Sequence, residues 1–219
     1  MSDLISKSKA QHDQWHDRWK NNNIGFHEAD GNHLLKRHFK ALGLTPGQHV
    51  FLPLCGKTKD LGWLLSNDLR VSGIELNESA IIQLFEELSV TPNVERTENH
   101  TLYSAANIRI FVGDFFELTK VQLGTVDAVF DRAALVALPI ALRHDYTRHL
   151  IDITDNARQL LVCYDYDESL ISGPPFSVTE QEVYSHYNAF FNIEGAFRQP
   201  VEGGFRGEKN VYEAAYLLR

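Results

Sequence analysis

Four short stretches carry residue types suited to holding a nucleoside: Leu54–Cys55–Gly56, Glu75, Gly113–Asp114–Phe115–Phe116 and Asp131–Arg132. A glycine such as Gly56 lets backbone approach a ligand closely. An ionised carboxylate only accepts hydrogen bonds, so Glu75, about 20 residues beyond that glycine, can take both hydroxyls of a ribose. Asp114 beside Phe115 suits an adenine, whose exocyclic amine donates and whose face stacks. The set describes an adenosine site.

Phosphates fit this set poorly. A nicotinamide or flavin turn needs the pattern G-x-G-x-x-G to admit a pyrophosphate, and Leu54–Cys55–Gly56–Lys57–Thr58 has a single glycine. Gly56–Lys57–Thr58 has the ending of a P-loop, but the position that must hold its first glycine is Phe51. Adenosine without phosphates points to S-adenosylmethionine. Other reactive residues read more plainly. Cys55 at a strand end is a small apolar filler rather than a nucleophile. His27 can serve as a base, with a surface or helix-capping role as its alternative. His144 and His149 lack the spacing of a zinc-protease pair, and Cys55 and Cys163 make neither a disulfide framework nor a zinc pattern. Two cysteines without such a framework fit a reducing compartment. Asn77–Glu78–Ser79 matches a glycosylation acceptor, which a cytosolic chain would not present to that machinery.

The elements that must position these residues alternate. Val50–Leu54, Val71–Leu76, Ile108–Val112, Val126–Phe130 and Leu160–Tyr164 read as strands, with Phe190–Ile193 and Val211–Leu218 as two later ones. Helical spacing covers Thr58–Leu65, Glu78–Leu88 and His144–Arg158, and Thr179 with Glu182 forms a capping box for a helix through about His186. Before them, Trp15 and Trp19 share a helix face, Asn21–Asn23 break that helix, and a second helix runs from about Asn32 to Leu42. Asn21 to Gly25 reads as a hinge-prone loop, which makes the N-terminal segment a candidate lid. The expected fold is α/β: a doubly wound, mostly parallel seven-stranded sheet with one antiparallel edge strand, preceded by a helical extension over residues 1–45. In such sheets ligands sit beyond the carboxyl ends of the strands, where all four stretches fall.

Length and charge bound the partners. The chain has 219 residues, 43% of them hydrophobic, enough for one domain over 1–219 with a good core. A formal net charge of −8 repels phosphate backbones and argues against nucleic acid. No stretch approaches the roughly 20 apolar residues of a membrane span, and residues 1–20 lack a signal-peptide core. The expectation is a soluble, cytoplasmic monomer acting on a small molecule, without a metal.

Longer motifs carry a family resemblance. Val50–Phe51–Leu52–Pro53–Leu54–Cys55–Gly56–Lys57, Gly73–Ile74–Glu75–Leu76, Gly113–Asp114–Phe115–Phe116, the run from Asp131–Arg132 through Pro139, and Gly173–Pro174–Pro175–Phe176 resemble thiopurine S-methyltransferases, the bacterial branch most closely. Trp15–His16–Asp17–Arg18–Trp19 and Gly25–Phe26–His27 extend the similarity, which runs from about Trp15 to Tyr216. The resemblance implies a Rossmann-like fold and methyl transfer from S-adenosylmethionine to the sulfur of small aromatic or heterocyclic thiols, with S-adenosylhomocysteine as product. It implies cofactor contacts at Trp19, Leu54, Glu75 and Arg132, with Trp15, Asp114 and Phe115 beside them. Phe26 and Arg206 fall near the acceptor. No residue is implied as a catalytic acid or base. Relatives that act on selenium or tellurium species keep a chalcogen acceptor open, and a non-catalytic S-adenosylmethionine binder is a further alternative. Each site residue also has a structural reading: Glu75 as a cap near Asn77, the tryptophans as core anchors, Asp114 as an N-cap, and Arg132 as the partner of Asp131 or Asp127.

Overall fold

The computed structural model describes residues 12–24 and 27–219. Among them, one sheet is built from β1 (His49–Leu52), β2 (Arg70–Glu75), β3 (Asn93–Arg96), β4 (Thr101–Ala105), β5 (Ile108–Val112), β6 (Ala128–Arg132), β7 (Arg158–Asp165), β8 (Ile193–Pro200) and β9 (Tyr212–Leu218). Their spatial order is β3-β4-β5-β2-β1-β6-β7-β9-β8. The five strands from β5 to β7 run parallel. Helices are α1 (residues 12–20), α2 (His33–His38), α3 (Lys59–Leu65), α4 (Glu78–Glu87), α5 (Lys120–Leu123), α6 (Ile140–Thr154) and α7 (Glu180–Tyr187).

The central strands are short apolar runs because both of their faces are covered. Along β1, Phe51 packs on one face with Ile74, Phe115 and Tyr146, while Val50 and Leu52 pack on the other with Leu34, Leu61 and Leu64. The chain steps outward from β1 to β2 and β5, then returns to β6 and β7 on the other side. That reversal lies between β1 and β6, where open sheets place their ligands.

The doubly wound seven-stranded frame is present as β5-β2-β1-β6-β7-β9-β8, with two additions to the expectation. The antiparallel strand, β9, lies one position in from the edge, because β8 pairs on its far side. β9 is almost wholly buried, whereas β8 is mostly exposed and takes the edge. The hairpin β3–β4 adds two antiparallel strands beyond β5. All four residues of β3 are exposed, so no apolar pattern marks it in the sequence.

Local boundaries shift for identifiable reasons. α6 begins at Ile140 rather than His144, directly after Pro139, whose fixed φ suits a helix start. The second N-terminal helix divides into α2, capped by Asn32, and a 3-10 turn at Phe39–Leu42 ended by Gly43 in the left-handed region. Thr179 caps α7 by accepting from the Glu182 N–H, but the Glu182 carboxylate does not return to close the box; it accepts from buried Arg143. β8 starts at Ile193, where the expected strand ended, and Phe191 joins the core from the preceding turn. No described helix is long and apolar enough to cross a membrane.

Candidate functional site

A cleft opens at the carboxyl ends of β1, β2, β5 and β6 and holds about 1090 Å³ of space including its mouth. Trp15, Trp19, Leu54, Glu75, Asp114, Phe115 and Arg132 all lie in its wall.

Two of the left-handed non-glycine residues stand in the cleft wall. Leu54, just past β1, has φ +46°, and Ala133, just past β6, has φ +61°. Left-handed φ values at non-glycine residues cost about 1–3 kcal/mol each and persist where the surrounding structure imposes them. These two flank the β1/β6 reversal.

Glu75 is 6% exposed and ends β2. Its Oε1 accepts from the Asn77 N–H at 2.8 Å, so the capping contact is real. Its Oε2 accepts from the Gly56 N–H at 2.8 Å, which ties the β2 end to the turn after β1. Burial raises its pKa above the ordinary carboxylate value, and the backbone N–H groups of Asn77, Gly56 and Leu76 oppose that rise. Asn77 caps α4 by accepting from the Ser79 N–H and donates to His16 Nδ1 at 3.2 Å, linking the strand end to α1.

Cys55 serves as packing. A Cβ on Gly73 would come within 2.8 Å of its sulfur, so β2 needs glycine there. Burial, then the neighbouring Glu75, push its thiol well above the usual range, which removes the thiolate a nucleophile needs.

Asp114 Oδ1 accepts from the Phe116 N–H at 2.9 Å and caps the 3-10 turn Phe115–Glu117, while Oδ2 lies 3.3 Å from His12 Nε2 on α1. Phe115 is core as much as wall: it is 4% exposed and stacks near Tyr146 and His149. Phe116 is the more accessible ring at the cleft.

Arg132 pairs with neither expected acid. Asp131 points into the core, accepts from Tyr146 Oη at 2.7 Å and the Leu135 N–H at 3.1 Å, and is raised by burial to about 6. Asp127 accepts from Gln48 Nε2 and the His49 N–H. The Arg132 guanidinium turns into the cleft and donates to Glu28 Oε1, whose carboxylate also accepts from Asn32 Nδ2. His27, beside Glu28, lines the cleft, and its pKa is lowered by burial and by Lys57.

The two acceptor-side expectations fare differently. Phe26 lies outside the described residues. Arg206, in the loop between β8 and β9, is not in the cleft wall. Its guanidinium donates to the Ser172 and Pro174 carbonyls and sits over the Phe205 ring. It still acts electrostatically on α1: burial, then Arg206, lower the Arg18 pKa. Sequence reasoning missed Leu138, Leu142 and Tyr146, which reach the wall from α6 and the turn before it, and also Glu28, Lys57 and Asp60. Lys57 and Leu138 lie inside the motifs that carry the resemblance and Glu28 stands beside Phe26–His27, whereas Leu142, Tyr146 and Asp60 carried no signal.

Comparisons with known proteins identify the family and the fold. The chain matches the thiopurine S-methyltransferase (TPMT) family over residues 10–214. It is 48% identical over 207 residues to the thiopurine S-methyltransferase of Xanthobacter autotrophicus, covering 94% of this chain and 97% of that one. It is 47% identical to that of Teredinibacter turnerae, covering 93% and 95%. Among solved structures, the Burkholderia thailandensis 1,6-didemethyltoxoflavin-N1-methyltransferase, with its substrate and S-adenosylhomocysteine bound, superposes with TM-score 0.58 at 17% identity over 100% of this chain and 85% of that one. A TehB-like S-adenosylmethionine-dependent methyltransferase from Corynebacterium glutamicum gives TM-score 0.55 at 13% identity, covering 96% and 100%. These structures speak to the fold, and the family match favours neither a chalcogen acceptor nor a non-catalytic binder. The chain is an S-adenosylmethionine-dependent methyltransferase and belongs to the thiopurine S-methyltransferase family.

Proposed function

We propose that the cleft aligns S-adenosylmethionine with a small aromatic or heterocyclic thiol and transfers the methyl group to its sulfur. In this reading Glu75 takes the ribose hydroxyls, Asp114 with Phe115 and Phe116 takes the adenine, and Leu54 and Arg132 face the methionine end. Trp15 and Trp19 cover the cofactor from α1, and Phe26 and Arg206 lie toward the acceptor. One observation carries the reading. Glu75 is a buried carboxylate in the cleft wall whose oxygens accept the Gly56 and Asn77 N–H groups. A carboxylate has about four acceptor sites, so these two bonds leave capacity for ribose hydroxyls.

When bound, the cofactor supplies a methyl carbon already activated by the sulfonium charge. The chain's own task is alignment and exclusion of water. Trp19, Leu54, Phe130, Leu138 and Leu142 give the wall a largely apolar surface. A heterocyclic thione with an acidic proton, or a thiolate, is nucleophilic near neutral pH without help from a base. The lowered pKa of His27 keeps that imidazole neutral near pH 7, so it adds no positive charge beside a cationic donor. Asp131, held in the core by Tyr146, is a support for the β6 end.

A radiolabelled-methyl transfer screen over aromatic thiols, aliphatic thiols, selenite and tellurite tests the acceptor. It belongs beside a calorimetric titration with S-adenosylhomocysteine. Methylated aromatic thiol is the expected product. Cofactor binding without product from any thiol would sink the acceptor assignment, and no binding would sink the site.

A further inference from the structure

We propose that His100 and His149 are positioning residues that fix the adenine end of the cleft by clamping two consecutive peptide carbonyls. The proposal rests on the cleft reading above. His100 Nε2 lies 3.1 Å from the Asp114 carbonyl oxygen, and His149 Nε2 lies 3.1 Å from the Phe115 carbonyl oxygen. A carbonyl only accepts, so each imidazole donates from Nε2. The same two carbonyls also close the 3-10 turn, accepting from the Glu117 and Leu118 N–H groups at 3.1 Å each. Both lone pairs of both oxygens are thereby used, and the two peptide planes that carry Asp114, Phe115 and Phe116 are fixed.

The two histidines arrive from unrelated elements. His149 stands on α6, edge-on to the Phe115 ring. His100 comes from the β3–β4 turn, where Thr97 Oγ1 accepts from the His100 N–H and donates to its carbonyl. It is 4% exposed, and its Nδ1 is buried with no hydrogen-bond partner. Leaving a buried nitrogen unpaired costs free energy, and a leucine of similar bulk would fill the same space without that cost. The bond to Asp114 is what the imidazole supplies. Gly113 fits this clamp, since a Cβ there would come within 2.7 Å of His100 Cδ2 and of the Asn99 carbonyl oxygen. The β3–β4 hairpin, an addition to the seven-stranded frame, thus carries one jaw of the clamp.

The test compares His100→Leu and His149→Leu with His100→Gln and His149→Gln, because a glutamine amide can donate from near the Nε2 position. The probes are S-adenosylhomocysteine and methylthioadenosine, titrated by calorimetry, with acceptor KM, kcat at saturating cofactor and Tm measured alongside. Each leucine variant is expected to weaken both probes equally, by about tenfold, the scale of one buried hydrogen bond. Acceptor KM and kcat should stay within about twofold, and the glutamine variants should recover most of the affinity. Leucine variants that bind both probes like the wild type would overturn the clamp alone. So would a parallel loss of cofactor affinity, acceptor KM and Tm that glutamine does not rescue. Failure of the wild-type protein to bind either probe would overturn the cleft reading and this proposal with it.

Discussion

The two sides of the cleft are held by different kinds of bond. On the strand-end side, side chains grip backbone: Glu75 on the Gly56 and Asn77 N–H groups, Asp114 on the Phe116 N–H, and His100 and His149 on carbonyls. On the N-terminal side, Asp60 accepts from the Asn32 N–H, but the contacts of α1 and Glu28 run between side chains: His12 on Asp114, Asn77 on His16, and Arg132 on Glu28. Backbone partners are fixed by the sheet and cannot change rotamer. The side-chain pairs are partly exposed, and such pairs contribute only about 0–1 kcal/mol each. The strand-end side is therefore held by partners that the sheet itself fixes, while each of these N-terminal pairs is individually weak. A site that must admit two molecules and then exclude water needs one wall of each kind.

The largest effect should come from removing the weakly held wall. Deleting the residues before Trp19 takes away Trp15 and the contacts of His12 and His16. Losing the apolar cover of one large aromatic costs about 1.5–3 kcal/mol, so S-adenosylhomocysteine should bind on the order of 100-fold more weakly. The strand-end wall should keep its fold, with near-wild-type Tm. Unchanged affinity in calorimetry would mean that α1 is no lid. On the fixed wall, Glu75→Gln loses the charge that strengthens its hydrogen bonds and sets an amide NH2 toward the Gly56 or Asn77 N–H. The expected loss is about 1.5–3 kcal/mol of cofactor affinity. An unaltered dissociation constant would remove the ribose assignment and the comparison with it.

What the sequence reveals follows the same division. Parallel strands covered on both faces are apolar runs, so β1 and β2 stand out, and polar residues just past them mark the cleft. Glu75, Asp114 and Arg132 are found by that rule. β3 and β8 escape it because exposed edge strands need no apolar periodicity. His100 and His149 escape it for another reason. Their partners are backbone carbonyls 14 and 34 residues away, and every residue has a carbonyl, so no spacing or residue type announces the pair. Arg206 rests on resemblance alone, and in the folded chain its guanidinium donates to the Ser172 and Pro174 carbonyls.

The smallest effect tests the Arg132–Glu28 pair, where the two walls meet. Glu28 is one-third exposed and Arg132 about one-eighth, with side-chain relative exposures of 33% and 12%. If Arg132 serves the carboxylate of the cofactor, Glu28 competes for the same guanidinium. Glu28→Gln keeps an oxygen for Asn32 and for Arg132 but removes the negative charge. S-adenosylhomocysteine should then bind slightly more tightly, by up to about fivefold, the scale of one partly exposed pair. The gain should shrink as salt is raised, because the competing charge is screened. A tenfold loss instead would show that Glu28 orients Arg132 for the ligand. The pair would then belong to the fixed wall, and the line between sheet-fixed and weakly held halves would have to be drawn through α1 alone.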